Sequence, residues 1–228
     1  MKVIECKKID MENHDSITYI RIEPENLSFT LQDIIASLSD LSWISRFDRP
    51  YMRSCFQKRA EDTAKYLANK ILKNDGDKIT EDSGEYVVSE LAREALVSEL
   101  RYLDIPLAEL FKEQVSGNPG FDFYSANNQR VIIFGEAKYN SRQNAYGVGM
   151  EQVDRFIREG QDISDLNDID KFFEEESLQM ADKGDKAYAI AFASKGTESE
   201  RIIKGILSNK YYENIASNKE VIFLAVNI

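Results

Sequence analysis

Two carboxylates and a lysine in the middle of the chain have the types and spacing to hold a divalent cation against a phosphate group. Glu136 and Lys138 are two residues apart in a segment that predicts a β-strand, so their side chains project from the same face of the sheet. Asp122 lies on the preceding predicted strand, and a hairpin would bring its carboxylate beside Glu136. Carboxylate oxygens suit Mg²⁺, or Mn²⁺ as a substitute. The three residues therefore predict metal-dependent hydrolysis of a phosphodiester bond.

The Glu-x-Lys pattern carries little information by itself. The same spacing occurs at Glu5 and Lys7 on another predicted strand, but no acidic strand residue precedes that copy. The Glu136 copy follows an apolar run, and Gly135 admits close backbone approach. Burying Glu136 and Lys138 at the end of an apolar strand without a purpose would be costly. The alternative is a buried structural ion pair between them.

A third carboxylate is expected from the predicted helix that follows Gly84. Its apolar face places Glu85 and Glu99 on or near the packed side, whereas Glu90 and Glu94 point away. Glu85 is favoured because it lies near the helix N-terminus, where the helix dipole stabilises a carboxylate. The alternative is that Glu85 only complements this dipole, and the choice between Glu85 and Glu90 stays open.

The composition argues against several other classes of site. His14 is the one histidine, and the two cysteines, Cys6 and Cys55, form no CxxC pair. A zinc cluster, a disulfide framework or a mechanism with a histidine base would lack ligands or partners. The apolar runs are too short to cross a bilayer, and the first residues lack the pattern of a secretory signal. We therefore expect a cytoplasmic protein without a membrane partner.

The formal net charge of −11 is unusual for a protein that binds nucleic acid. Local charge matters more, and one basic stretch is interleaved with aromatic residues. Its cations are Arg46, Arg49, Arg53, Lys58 and Arg59, and its aromatics are Trp43, Phe47, Tyr51 and Phe56. This stretch, together with Arg142 after the lysine strand, predicts contacts to DNA. The alternative for the stretch is a solvated helix face with its aromatics packed inward.

The periodicity predicts an α/β protein with a mixed sheet flanked by helices. Residues 1–78 form an N-terminal hairpin and helical module, and residues 79–228 form the core. Strands are expected at 2–8, 17–23, 121–124, 131–137, 187–193 and 220–226. Helices are expected at 30–38, 57–72, 85–100, 148–157 and 198–207. A turn around His14, a linker at 74–83 and a solvated acidic loop plus helix at 162–176 connect them.

The order of these motifs resembles the PD-(D/E)XK nuclease superfamily. The residues that carry the resemblance are a Gly84-Glu85 helix, Gly-Phe-Asp at 120–122 and Phe-Gly-Glu-Ala-Lys-Tyr at 134–139. The resemblance implies a restriction-endonuclease-like core in which Asp122 and Glu136 bind metal, Lys138 activates water and Glu85 assists. One departure is that Gly120 and Phe121 separate Pro119 from Asp122, so the Pro-Asp dipeptide of the superfamily's name is absent.

More narrowly, the two motifs around Asp122 and Glu136 are similar to those of the HamA family, the nuclease-like subunits of bacterial Hachiman anti-phage systems. This similarity implies a helicase partner. A subunit of that kind would also suit the acidic net charge, because a partner could supply most of the DNA affinity. Two alternatives are a non-cleaving DNA-binding or regulatory subunit with a nuclease fold and a stand-alone homodimeric restriction endonuclease.

Overall fold

The computed structural model describes residues 1–9, 17–73, 79–112 and 120–228. The strands are β1 (Lys2–Ile9), β2 (Ile17–Glu23), β3 (Phe123–Ala126), β4 (Ile132–Lys138), β5 (Ala187–Ser194) and β6 (Glu220–Asn227). The helices are α1 (Leu27–Ser39), α2 (Pro50–Leu72), α3 (Glu81–Leu100), α4 (Ala108–Phe111), α5 (Tyr146–Glu159), α6 (Gln161–Ile169), α7 (Glu175–Asp182), α8 (Ser199–Leu207) and α9 (Tyr212–Ala216). Short 3-10 helices span Ser42–Arg46 and Asp170–Phe172. The turn predicted around His14 lies outside the described residues.

One six-stranded sheet runs through the described part of the chain, in the order β1-β2-β6-β5-β4-β3. The four inner strands pair in parallel, and an antiparallel hairpin closes each side. The predicted α/β class, with a mixed sheet flanked by helices, is therefore confirmed. Because β2 pairs with β6, residues from both 1–78 and 79–228 contribute to this sheet.

The central strands owe their position to continuous apolar sequence. β5 is buried along its whole length, and β6 along all but its last residue, as expected for parallel strands covered on both faces. The helices α3 and α5 pack against β4 and β5. β4, which carries Glu136 and Lys138, thus lies between the strands β3 and β5 and contacts two helices.

The outermost strand, β1, has a different pattern. Its residues alternate between exposed and half-buried, and they include Lys2, Glu5, Lys7 and Lys8. The pairing register with β2 also shifts between Val3 and Glu5. Among the described residues no further strand pairs with β1, so this charged strand forms one edge of the sheet.

The largest differences from the expected helix boundaries are at the N-termini of three helices. α2 begins at Pro50 rather than at residue 57, since proline is well suited to the first position of a helix. α1 begins at Leu27, and the side chain of Asn26 caps it by accepting from Phe29 N at 3.0 Å. α3 begins at Glu81, inside the predicted linker at 74–83, of which residues 74–78 lie outside the described part of the chain.

The acidic stretch was expected to be solvated, and this is wrong for Asp162 and Asp165. Both side chains lie on one face of α6 and are 1% exposed. Asp162 accepts hydrogen bonds from Lys186 and from Tyr188, two side chains on or next to β5. Partners far along the chain neutralise these carboxylates, which is why local composition did not reveal them.

No helix among the described residues has the length and apolar character needed to cross a membrane.

Asp162→Ala should destabilise the protein by about 3–5 kcal/mol, because the ammonium group of Lys186 would stay buried without its carboxylate. Urea unfolding monitored by circular dichroism measures this change. Asp182→Ala, at an exposed position near the end of α7, is the matched control and should change stability by less than about 0.5 kcal/mol. Equal effects of the two substitutions would contradict the structural role of Asp162.

Candidate metal centre

Asp122 lies directly before β3, and two hydrogen bonds hold it against β4. Its backbone N donates to Gly135 O at 2.9 Å, and its Oδ2 accepts from Ala137 N at 2.7 Å. The predicted hairpin thus brings the Asp122 carboxylate to the backbone between Glu136 and Lys138. Burial raises the pKa of Asp122 to about 6, although the Lys138 charge and the Ala137 hydrogen bond act in the opposite direction.

Glu136 is enclosed in the middle of β4, where it pairs with Ile190 of β5 and is 0% exposed. Neither of its carboxylate oxygens accepts a hydrogen bond from the described residues. Its Oε1 lies 2.9 Å from Lys138 Nζ, an ion pair without hydrogen-bond geometry. Burial and then the Asp122 charge hold the pKa of Glu136 well above its ordinary value. The carboxylate therefore has lone pairs that the described residues leave unused.

Lys138 connects the strand carboxylate to a helix carboxylate. Its Nζ donates to Glu85 Oε1 at 3.2 Å and also forms the ion pair with Glu136. Burial lowers the pKa of Lys138, but the negative charges of Glu136 and Asp122 outweigh it and raise this pKa above its ordinary value. The side chain is thus a fixed ammonium cation at neutral pH.

The structure separates the two candidate helix carboxylates. Glu85 lies in the second turn of α3, is 48% exposed and reaches Lys138. Glu90 was expected to point away from the packed face and is instead 1% exposed, with hydrogen bonds from Ser37 and Arg93. The helical pattern missed this because α1, a separate element, supplies Ser37. Glu99, expected on or near the packed face, is exposed.

Two glycines allow the close packing that this arrangement needs. A Cβ atom on Gly135 would lie 2.2 Å from the ring of Phe123, the residue opposite it on β3. A Cβ atom on Gly84 would lie 2.1 Å from the ring of Tyr139, which follows Lys138. Both contacts would be with ring atoms. Glycine is therefore needed where Phe123 of β3 packs on β4 and where Tyr139 packs on α3.

Sequence reasoning missed a fourth acidic residue, Glu109 on the short helix α4. The backbone N of the preceding Ala108 donates to Asp122 O at 3.1 Å, which ties α4 to the centre. Glu109 Oε2 is buried without a hydrogen-bond partner among the described residues. Burial, and then the Asp122 charge, raise the pKa of Glu109 to about 8. No periodic pattern around this residue could have shown its proximity.

Asp165 supports the centre from behind the β3 hairpin, and sequence reasoning missed this residue also. Its Oδ2 accepts from Phe121 N at 3.0 Å and from Tyr124 Oη at 2.5 Å. Its Oδ1 accepts from Lys112 Nζ at 2.7 Å. These bonds fix the backbone immediately before Asp122.

The predicted DNA-binding cations are not gathered at the carboxylates. Arg46 lies over the ring of Phe172, Arg49 donates to Tyr51 Oη, and Lys58 pairs with Asp62 at 2.9 Å. Arg53 and Arg142 are exposed, and Arg59 donates to Phe111 O at 3.1 Å. Among the interleaved aromatics, Trp43, Phe47 and Phe56 are buried, which agrees with inward packing, whereas Tyr51 is exposed. The basic stretch thus extends from the 3-10 helix at Ser42–Arg46 through the first half of α2.

Asp122 and Glu136 fit a Mg²⁺ ion, provided that water and substrate complete its coordination. No three carboxylate, histidine or cysteine side chains within the described ranges converge closely enough to hold a metal by themselves. Mg²⁺ usually needs only one or two protein carboxylates, because it keeps several waters and takes phosphate oxygens from the substrate. The unused lone pairs of Glu136 beside Asp122 match that requirement.

Glu109→Gln should stabilise the metal-free protein by a few kcal/mol at about pH 9 and change it little at about pH 4. The native state keeps the Glu109 proton up to about pH 8, whereas the unfolded chain releases it near the ordinary pKa. Wild-type stability therefore falls as pH rises through this window, and glutamine removes that loss. Urea unfolding in EDTA across the pH range measures the difference. The exposed Glu25→Gln is the control, and a Glu109→Gln effect independent of pH would contradict the assignment.

Comparison of this chain with known protein families, curated proteins and solved structures finds no match. The functional conclusion therefore depends on the residues and geometry of the centre.

Proposed function

We propose that this protein is a metal-dependent DNA nuclease whose centre is built on Asp122, Glu136 and Lys138. The observation that carries the proposal is the enclosed carboxylate of Glu136, which accepts no hydrogen bond from the described residues and lies beside a second carboxylate and an ammonium group. A purely structural ion pair would be expected to satisfy its remaining lone pairs with hydrogen-bond donors. A site for a hard cation instead leaves them available.

Each side chain has a distinct part in this proposal. Asp122 and Glu136 would hold Mg²⁺, or Mn²⁺ as a substitute, and the bound ion supplies Lewis-acid activation of the phosphodiester and its attacking water. Lys138 stays protonated, so it acts as a cation that stabilises charge on the phosphate and orients water. Glu85 holds the Lys138 ammonium group in place.

The net charge of −11 supports the further proposal that a partner supplies much of the DNA affinity. The resemblance to HamA subunits makes a helicase our proposal for that partner, in an anti-phage defence complex. The exposed cations Arg49, Arg53 and Arg142 are available for phosphate contacts within such a complex. Arg46 and Lys58 are exposed as well, whereas Arg59 is half-buried.

Glu136→Gln and Lys138→Ala should each reduce DNA cleavage by about a hundredfold or more, because each removes a group that stabilises the transition state. The assay follows plasmid and single-stranded substrates with Mg²⁺, Mn²⁺ or EDTA. The chain contains its own matched control, since Glu5 and Lys7 have the same spacing on β1 and form an ion pair of 2.6 Å. Glu5→Gln and Lys7→Ala should leave cleavage unchanged.

Metal-dependent cleavage that survives both Glu136→Gln and Lys138→Ala would overturn the proposed centre. Calorimetric titration with Mn²⁺ separates a non-cleaving subunit from a nuclease that lacks its partner. A nuclease should bind Mn²⁺ in a manner that depends on Glu136 even when the isolated chain does not cut. Absence of Glu136-dependent binding and cleavage would contradict the proposal.

A further inference from the structure

Two tyrosine rings and a lysine form a mixed aromatic and cationic surface between α2 and α3. The Nζ atom of Lys70 lies 5.0 Å from the ring centre of Tyr66 and 5.8 Å from that of Tyr86. Tyr66 is 50% exposed, and Tyr86 is half-buried. We call Tyr66, Lys70 and Tyr86 the tyrosine platform. Its cation lies within cation–π range of both rings.

The tyrosine platform adjoins the candidate metal centre. Tyr86 directly follows Glu85 on α3, and Glu85 is the residue that reaches Lys138. The helix α3 also packs against β4, the strand that carries Glu136 and Lys138. Tyr86 thus places the platform one residue along α3 from a side chain of the centre.

One stripe of α2 carries the exposed half of the platform. Arg59, Tyr66 and Lys70 are spaced by seven and four residues, which places them on the same side of the helix. Arg59 donates to Phe111 O on α4, so this stripe turns toward the element that holds Glu109. α2 thus packs against α4 on the side of this stripe.

We propose that the tyrosine platform stacks an unpaired nucleobase, so that the adjoining centre acts on strands with unpaired bases. This inference rests on the proposed nuclease function and specifies its substrate class. Base faces are covered in a duplex and available in a single strand, and aromatic side chains combined with a cation are the usual means of binding such strands.

The test measures binding rather than cleavage, by fluorescence anisotropy in Ca²⁺ with three labelled DNA probes. The probes are a short single strand, the same strand with abasic positions, and the matching duplex. Wild-type protein should bind the intact strand about tenfold more tightly than the abasic strand, because stacking needs the base. Binding to the duplex should be weaker than to the intact strand. Equal affinity for intact and abasic strands would overturn the proposal without any variant.

Variants then assign the preference to the platform. Tyr66→Ala should lose the discrimination between intact and abasic strands, whereas Tyr66→Phe should keep it, because the ring face is retained. The matched control is Phe29→Ala, an aromatic residue that is 65% exposed on α1, outside both the platform and the basic stretch, and it should keep the discrimination. Discrimination that survives Tyr66→Ala would contradict the role of Tyr66.

Cleavage in Mg²⁺ separates failure of this inference from failure of the proposed nuclease. Cutting that depends on Glu136 but does not distinguish intact from abasic strands in binding overturns the platform alone. Binding that distinguishes them, without any Glu136-dependent cutting or metal binding, overturns the nuclease and leaves the platform as a binding site.

Discussion

The carboxylate of Glu136 is enclosed within the sheet, and the ammonium group of Lys138 is the close countercharge that the described residues offer. Removing two such ions from water costs several kcal/mol each, and their mutual attraction repays this only when the remaining lone pairs are also satisfied. For Glu136 they are not. An apolar pair at these positions of β4 would give a more stable sheet, and the proposed nuclease would account for charges that the fold alone does not favour.

Three further carboxylates surround that pair. Asp122 is held by backbone hydrogen bonds, Glu85 approaches from α3, and Glu109 approaches from α4. Burial raises the pKa values of Asp122, Glu136 and Glu109, and the charges of Lys138 and Lys112 only partly oppose it, so the site is short of positive charge. A divalent cation would supply that charge, favour the ionised carboxylates and so stabilise the fold as it binds.

Local sequence patterns were sufficient wherever one strand or one hairpin decided the geometry. The pairing of β3 with β4 and the contact of Lys138 with Glu136 follow from alternation and turn chemistry, and both are present. Failures occurred where a distant element supplied the partner. Ser37 on α1 covers Glu90, and Lys186 neutralises Asp162. Glu109 gave no signal, because its place beside Asp122 depends on how a loop returns to the sheet.

The charged edge strand β1 affects how copies of this protein meet in solution. An unpaired strand offers a row of backbone donors and acceptors on which another chain can add and begin a growing aggregate. Three lysines and a glutamate along β1, together with its irregular register, would place like charges opposite each other if a second β1 paired with it. These charges and the irregular register thereby disfavour the addition of a second strand at this edge of the described sheet.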